Sequence, residues 1–137
     1  MGEDATARIE EEKRSIYDEI LKNESSPFFN HKDSELFFSA VAVGYYYKKK
    51  EPLKKKRDLF RTFTIGDKSK IWLLKAVAVS TSGIEVLKDI KEVVKICEEY
   101  ANSGIDQIYK WHSEGIDICN NLSEIMLDIE QENTQES

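Results

Sequence analysis

Cysteine, proline and histidine are scarce in this chain of 137 residues, with two of each. Two cysteines, Cys97 and Cys119, are too few for a disulfide scaffold of this size. The histidines, His31 and His112, have no second His or Cys at ligand spacing beside them. With the two cysteines, His112 makes three soft donors where a structural zinc site takes four, so no metal is assigned. His112 and Cys119 are seven apart and share a helix face, which admits a Cys–His catalytic pair. A packed histidine beside a buried thiol is the preferred reading. No glycine-rich phosphate loop, nucleophile elbow or metalloprotease motif occurs, so no cofactor and no catalytic residue are assigned. The longest apolar stretch, residues 36–47, has about 12 residues, too short for the ~30 Å of a bilayer core. The first residues are acidic and polar, without the cationic and apolar regions of a signal peptide. A cytoplasmic protein with free thiols and no membrane contact is expected.

What is present is a chain that can fold as one domain. Hydrophobic residues make up 40% and charged residues 34%, and domains of roughly 100–150 residues are the commonest size. The periodicity predicts an all-α bundle of five to six helices in a single domain over residues 1–129. Residues 1–5 are expected to fray, and 130–137 to form a disordered acidic tail without apolar residues. A first helix is read from Thr6 to about Asn23, on the spacing of Ile16 with Ile20 and Tyr17 with Leu21. Pro27 lies beyond its end. Asp33 or Ser34 caps a second helix over 34–47, apolar on nearly every face and therefore central. Residues 59–65 are weakly alternating and admit a short extended element. Gly66-Asp67 caps a second apolar helix over 68–80. Ser82-x-x-Glu85 reads as a capping box for a helix over 84–102, whose stripe is Ile84, Leu87, Ile90, Val94, Cys97 and Ala101. Ser103-Gly104 reads as its stop, with a further helix over 105–119 weakened by Gly115 and a short last helix from near Leu122. Trp72 and Trp111 are expected in the core or at an interface.

The formal net charge of −6 hides its own distribution. Residues 48–57, KKKEPLKKKR, carry +6, and residues 111–137 carry −7 with no Lys or Arg. A negative total excludes a globally basic nucleic-acid coat, not a local grip. The run Lys48, Lys49, Lys50, Lys54, Lys55, Lys56 and Arg57 admits three readings: contact with phosphates, a protein-partner surface, or a solvated stretch that pairs with the chain's own acidic ends. Phosphate contact would be salt-sensitive and blind to sequence, since nothing resembles a base-reading motif. Tyr45, Tyr46 and Tyr47 precede it and offer stacking faces. Neighbouring acids such as Glu98-Glu99 and Glu10-Glu11-Glu12 point about 100° apart on a helix and do not converge as a catalytic pair.

Several strings together resemble a known family. They are Phe28-Phe29, Lys32-Asp33, then Phe38-Ser39-Ala40-Val41-Ala42-Val43-Gly44-Tyr45 with Lys50-Glu51-Pro52-Leu53, and the block Glu98-Glu99-Tyr100-Ala101-Asn102-Ser103-Gly104. Their order is similar to that in small proteins associated with prokaryotic DNA phosphorothioation (Dnd-type) modification and restriction clusters, over roughly residues 27–111. The resemblance implies an accessory protein of anti-phage defence without catalytic activity. It would work by contact with protein subunits, ATPase or nuclease components, with non-sequence-specific contact to DNA through the basic run. A small helical DNA-binding regulator is the alternative. Tyr45, Tyr46, Glu98, Glu99 and Asn102 are the candidate partner-binding residues. The block around Glu98-Glu99 also suits a helix end, with Tyr100 inward, Asn102 serving the turn and Gly104 at positive φ.

Overall fold

The computed structural model describes residues 4–136 of the chain. Seven elements follow one another: β1 (Thr6–Glu10), α1 (Arg14–Lys22), α2 (Asp33–Tyr46), β2 (Lys56–Arg61), α3 (Lys68–Ser82), α4 (Ile90–Ser113) and α5 (Ile118–Glu136). The fold is mostly helical, as expected, but it is not all-α. β1 and β2 form a two-stranded antiparallel ribbon, pairing Thr6 with Arg61 and Glu10 with Lys56, with a bulge between Ala7 and Arg8. Among the described residues no helix is long and apolar enough to cross a membrane.

α2 is the buried centre. Leu36, Phe37, Ala40, Val41 and Val43 have no exposed surface, which is why the segment needs no polar face. It opens one residue earlier than Asp33 or Ser34 would cap it: the N-cap is Lys32, whose N–H donates to the Glu35 carboxylate at 3.3 Å. α4 crosses α2 and carries a buried stripe of Ile90, Val94, Cys97, Ala101, Ile105 and Ile108. α3 is capped as expected, Asp67 accepting the Ser69 N–H at 2.9 Å, and packs Leu74, Val77 and Ala78 inward. Trp111 is buried, but Trp72 is 63% exposed with Lys75 over its ring.

Five expectations are corrected. Thr6–Glu10 is a strand, not the first turns of a helix: Ala7 and Ile9 point inward with period two, and helix begins only at Arg14. Asp4 and Ala5 are ordered rather than frayed, since the Ala5 N–H donates to the Thr62 hydroxyl and its carbonyl accepts the Thr62 N–H, each at 2.9 Å; residues 1–3 lie outside the described residues. The helix expected at 84 starts at Ile90, capped by Asp89, because Gly83 at φ +91° ends α3 and a 3-10 turn (Ile84–Lys88) intervenes. That helix does not stop at Ser103-Gly104. Continuing through Gly104 costs about 1 kcal/mol of propensity, and burial of Ile105, Ile108 and Trp111, at about 1.5–3 kcal/mol for each large apolar side chain, outweighs it. α4 ends at Ser113, before Gly115 at φ +70°. Beyond it α5 runs to Glu136, where a disordered tail is expected from residue 130. Glu and Gln are good helix formers; Ser137 lies outside the described residues.

Candidate nucleic-acid interface

The basic run 48–57 leaves the end of α2 and is fastened along its length. Lys48 takes the left-handed conformation, φ +55°, and the Lys49 N–H donates back to the Gly44 carbonyl at 3.0 Å. α4 then holds the chain. The Ser103 hydroxyl donates to the Lys49 carbonyl at 2.5 Å, the Glu51 N–H donates to the Glu99 carbonyl at 3.0 Å, and the Asn102 amide donates to the Glu51 carbonyl at 3.0 Å. Next the Glu10 carboxylate accepts the N–H groups of Lys54 and Lys55, each at 2.7 Å. These two bonds, first Lys54 and then Lys55, hold the Glu10 carboxyl below its usual range. From Lys56 onward the chain is β2.

The backbone is thus fastened by hydrogen bonds while the side chains stay outside. Lys48, Lys49, Lys50, Lys54, Lys55, Lys56 and Arg57 are all exposed. Lys55 pairs with Glu11 at 3.0 Å, Lys50 reaches Glu99 at 4.0 Å, and Lys48 lies 4.1 Å from the centre of the Tyr45 ring. Lys49, Lys54, Lys56 and Arg57 form no ion pair among the described residues. None of the described acids Glu114, Asp117, Glu124 or Asp128 pairs with the run.

The expected partner-binding residues are not one exposed patch. Glu98 and Asn102 are each only 5% exposed and bond to the chain's own backbone: the second oxygen of Glu98, Oε2, accepts the Arg8 N–H at 2.7 Å. Burial pushes the Glu98 carboxyl up to about 7, against the pull of that N–H, Lys56 and Arg8. Tyr100 does point inward, but Asn102 and Gly104 sit in mid-helix rather than at an end. Tyr45 is half-buried, its hydroxyl 2.5 Å from that of Ser80 and its ring edge-on to Tyr100. Tyr46 donates to Asp128 at 2.8 Å, leaving Tyr47 as the exposed ring of the three. The pair of His112 with Cys119 does not form: Cys119 is exposed, not a buried thiol beside the histidine. Cys97 is the buried thiol; burial raises it, and its Sγ donates to the Leu74 carbonyl at 3.4 Å. His112 lies against Asn23 and Glu19, and among the described residues no three His, Cys, Asp or Glu side chains come together as a metal site would need.

Two features escaped the sequence. Glu10, read as a solvated acid, is the clamp on the basic run, and Ala7-x-Ile9 was too short an alternation to announce a strand. The Asn102 tether predicts a measurable effect. Asn102→Ala leaves the Glu51 carbonyl without its donor, at a cost of about 1–3 kcal/mol, and tryptic cleavage within 48–57 should quicken; unchanged cleavage would show that the tether holds nothing.

The two motifs that carry the family resemblance meet in this geometry. The Phe38–Tyr45 string supplies the α2 side of the crossing, and the Glu98–Gly104 block supplies the α4 side and the tethers. No curated protein and no solved structure matches the chain. A family model does, over residues 6–137, which is both termini beyond the 27–111 on which the resemblance rests. The chain belongs to the family described as DNA sulphur modification system-associated protein 4.

Proposed function

We propose that this chain is a non-catalytic accessory subunit of a cytoplasmic DNA sulphur modification system. It acts through contacts with protein subunits of the defence complex, ATPase or nuclease components, and touches the DNA backbone through residues 48–57. The observation that carries the DNA contact is the hydrogen-bonded backbone that presents that run. Four of its cations have no ion-pair partner among the described residues, on a chain of net charge −6. Fixing the backbone in advance lowers the ordering cost of binding, and each phosphate neutralised releases counterions. The contact would be sequence-neutral, because the cations sit on a ribbon edge and a turn with no base-reading element beside them.

The test is binding of a labelled random-sequence duplex by the charge-reversed variant Lys54→Glu/Lys55→Glu/Lys56→Glu. Affinity at low salt should fall at least about tenfold, and the salt slope should flatten by about one for each phosphate that is no longer neutralised. Unchanged binding removes the DNA contact from the proposal. Displacement by one competitor sequence far better than by others would instead favour a regulator.

A further inference from the structure

A second cluster of cations lies beside the basic run, on elements the run does not include. α4 sets Lys91, Lys95 and Glu98 at i, i+4 and i+7, on one helical face. The ribbon crosses that face and brings Arg8 from β1 and Lys56 and Arg61 from β2. With Asp4 and Glu92, which also line it, they form a groove of about 520 Å³ in which five cations face these two acids and Glu98. Arg8 is bound to Asp58 at 2.9 Å and Arg61 to Asp4, so both guanidinium groups are engaged. Lys56, Lys91 and Lys95 have no ion pair among the described residues. Glu98 lines the same groove, and while Oε2 accepts the Arg8 N–H, Oε1 has no hydrogen-bond partner among the described residues.

We propose that this groove seats one phosphodiester of a DNA backbone, held by Lys56, Lys91 and Lys95, with the unpartnered Oε1 of Glu98 turned to a phosphate oxygen. The assignment rests on the DNA-backbone reading above and extends it onto α4, since Lys56 belongs to both surfaces. Three ammonium groups supply N–H donors and charge, and a neutral carboxyl adds an O–H donor without repelling the anion. An ionised Glu98 would repel it. The charged groups around Glu98 are Arg8 and Glu10 on β1, Lys13 before α1, Lys56 and Arg61 on β2, Asp4, and Lys91, Glu92, Lys95 and Glu99 on α4. Since burial pushes the carboxyl up to about 7, a bound phosphate draws a proton onto it, and binding is expected to weaken as pH rises through that value.

The experiment is fluorescence anisotropy of the full chain with a labelled random-sequence duplex, from pH 6 to pH 8.5. Lys91→Gln/Lys95→Gln should weaken binding about tenfold and lower the salt slope by about one. Wild-type affinity should fall as pH passes 7, and Glu98→Gln should hold its affinity across the range. Unchanged binding by the lysine pair, or a wild-type pH profile in Glu98→Gln, overturns the groove. Lys49→Gln/Lys54→Gln separates the two assignments: weaker binding there with no change at Lys91 and Lys95 overturns the groove and keeps the basic run, while no change in either pair overturns both. Amide chemical shifts of Lys91 and Lys95 on titration with duplex and with inorganic phosphate add a readout in the unaltered chain. Movement with duplex supports the seat; movement with inorganic phosphate alone overturns the DNA assignment.

Discussion

Gly104→Ala is expected to destabilise the protein by about 3 kcal/mol or more, although it adds one methyl group. A Cβ at position 104 would stand 1.8 Å from the Ala40 carbonyl oxygen, 2.7 Å from its carbon and 2.9 Å from the Gly44 nitrogen. The reciprocal clash exists at Gly44, where a Cβ would meet the Tyr100 carbonyl oxygen at 2.0 Å. All of these are backbone atoms, so no side chain can swing aside. The helices would have to separate, and α2 would be pried from its partner where it is buried on nearly every face. Propensity pulls the other way: on a helix free of this crossing, Gly→Ala gains about 1 kcal/mol. The sign of the change therefore decides whether α2 and α4 cross backbone to backbone. Thermal melts followed by circular dichroism should show Tm lowered by about 10 °C or more for Gly104→Ala and for Gly44→Ala. Gly66→Ala, with nothing within 4 Å of its added Cβ, should stay within about 0.5 kcal/mol of wild type. A neutral or stabilising Gly104→Ala would refute the crossing.

The second large effect is a pH-dependent gain in stability from Glu98→Gln. Burial raises the folded-state carboxyl of Glu98 from an ordinary 4.5 to about 7. Between those values the folded chain binds more protons at this site than the unfolded chain does. Stability from this group therefore declines as pH rises across the window, and levels off above it. The span corresponds to a loss of up to about 3 kcal/mol. Glutamine stays neutral throughout, and its side-chain oxygen can still accept the Arg8 N–H. Urea unfolding should thus show Glu98→Gln close to wild type at pH 4.5 and more stable at pH 8. An equal gap at both pH values would mean that Glu98 is not held away from water.

A carboxylate in a position that favours its neutral form is a cost to the fold at neutral pH. That cost has a physical counterpart in the groove, where the neutral form is the one compatible with an anion. The stability and DNA measurements share a variant but read different quantities, so the DNA prediction can fail while the stability prediction holds.

Much of the helical framework was legible. Residues 34–47 had to be a buried helix because they are apolar on nearly all sides, and the apolar residues of 68–80 also read as a helix; α2 and α3 lie within a residue or two of those bounds, although α3 buries only Ile71, Leu74, Val77 and Ala78. The stripe from Ile90 to Ala101 was legible because period 3.6 repeats over several turns. So was the basic run, which needs only counting. Its surroundings were not. Glu10 among three successive glutamates looks solvated, and only the bulged ribbon carries its carboxylate to the Lys54 and Lys55 amides. Ser103-Gly104 carries the local signature of a helix stop. The signature fails because burial of Ile105, Ile108 and Trp111 rewards continuation, and the glycine serves instead the close approach of the Ala40 carbonyl on α2, 64 positions earlier in the chain.

By itself, then, the sequence determined which segments are helical by amphipathic or uniform burial, where positive charge accumulates, and which family the motif order resembles. Those are properties of neighbours along the chain. Only the tertiary structure decided that Thr6–Glu10 is a strand, that Glu98 and Asn102 are buried, that two glycines are the contact of two helices, and that Lys56, Lys91 and Lys95 share a groove. Each of these depends on pairs of residues far apart in sequence, and their energies, from packing, desolvation and hydrogen bonding, exist only once the chain has closed on itself.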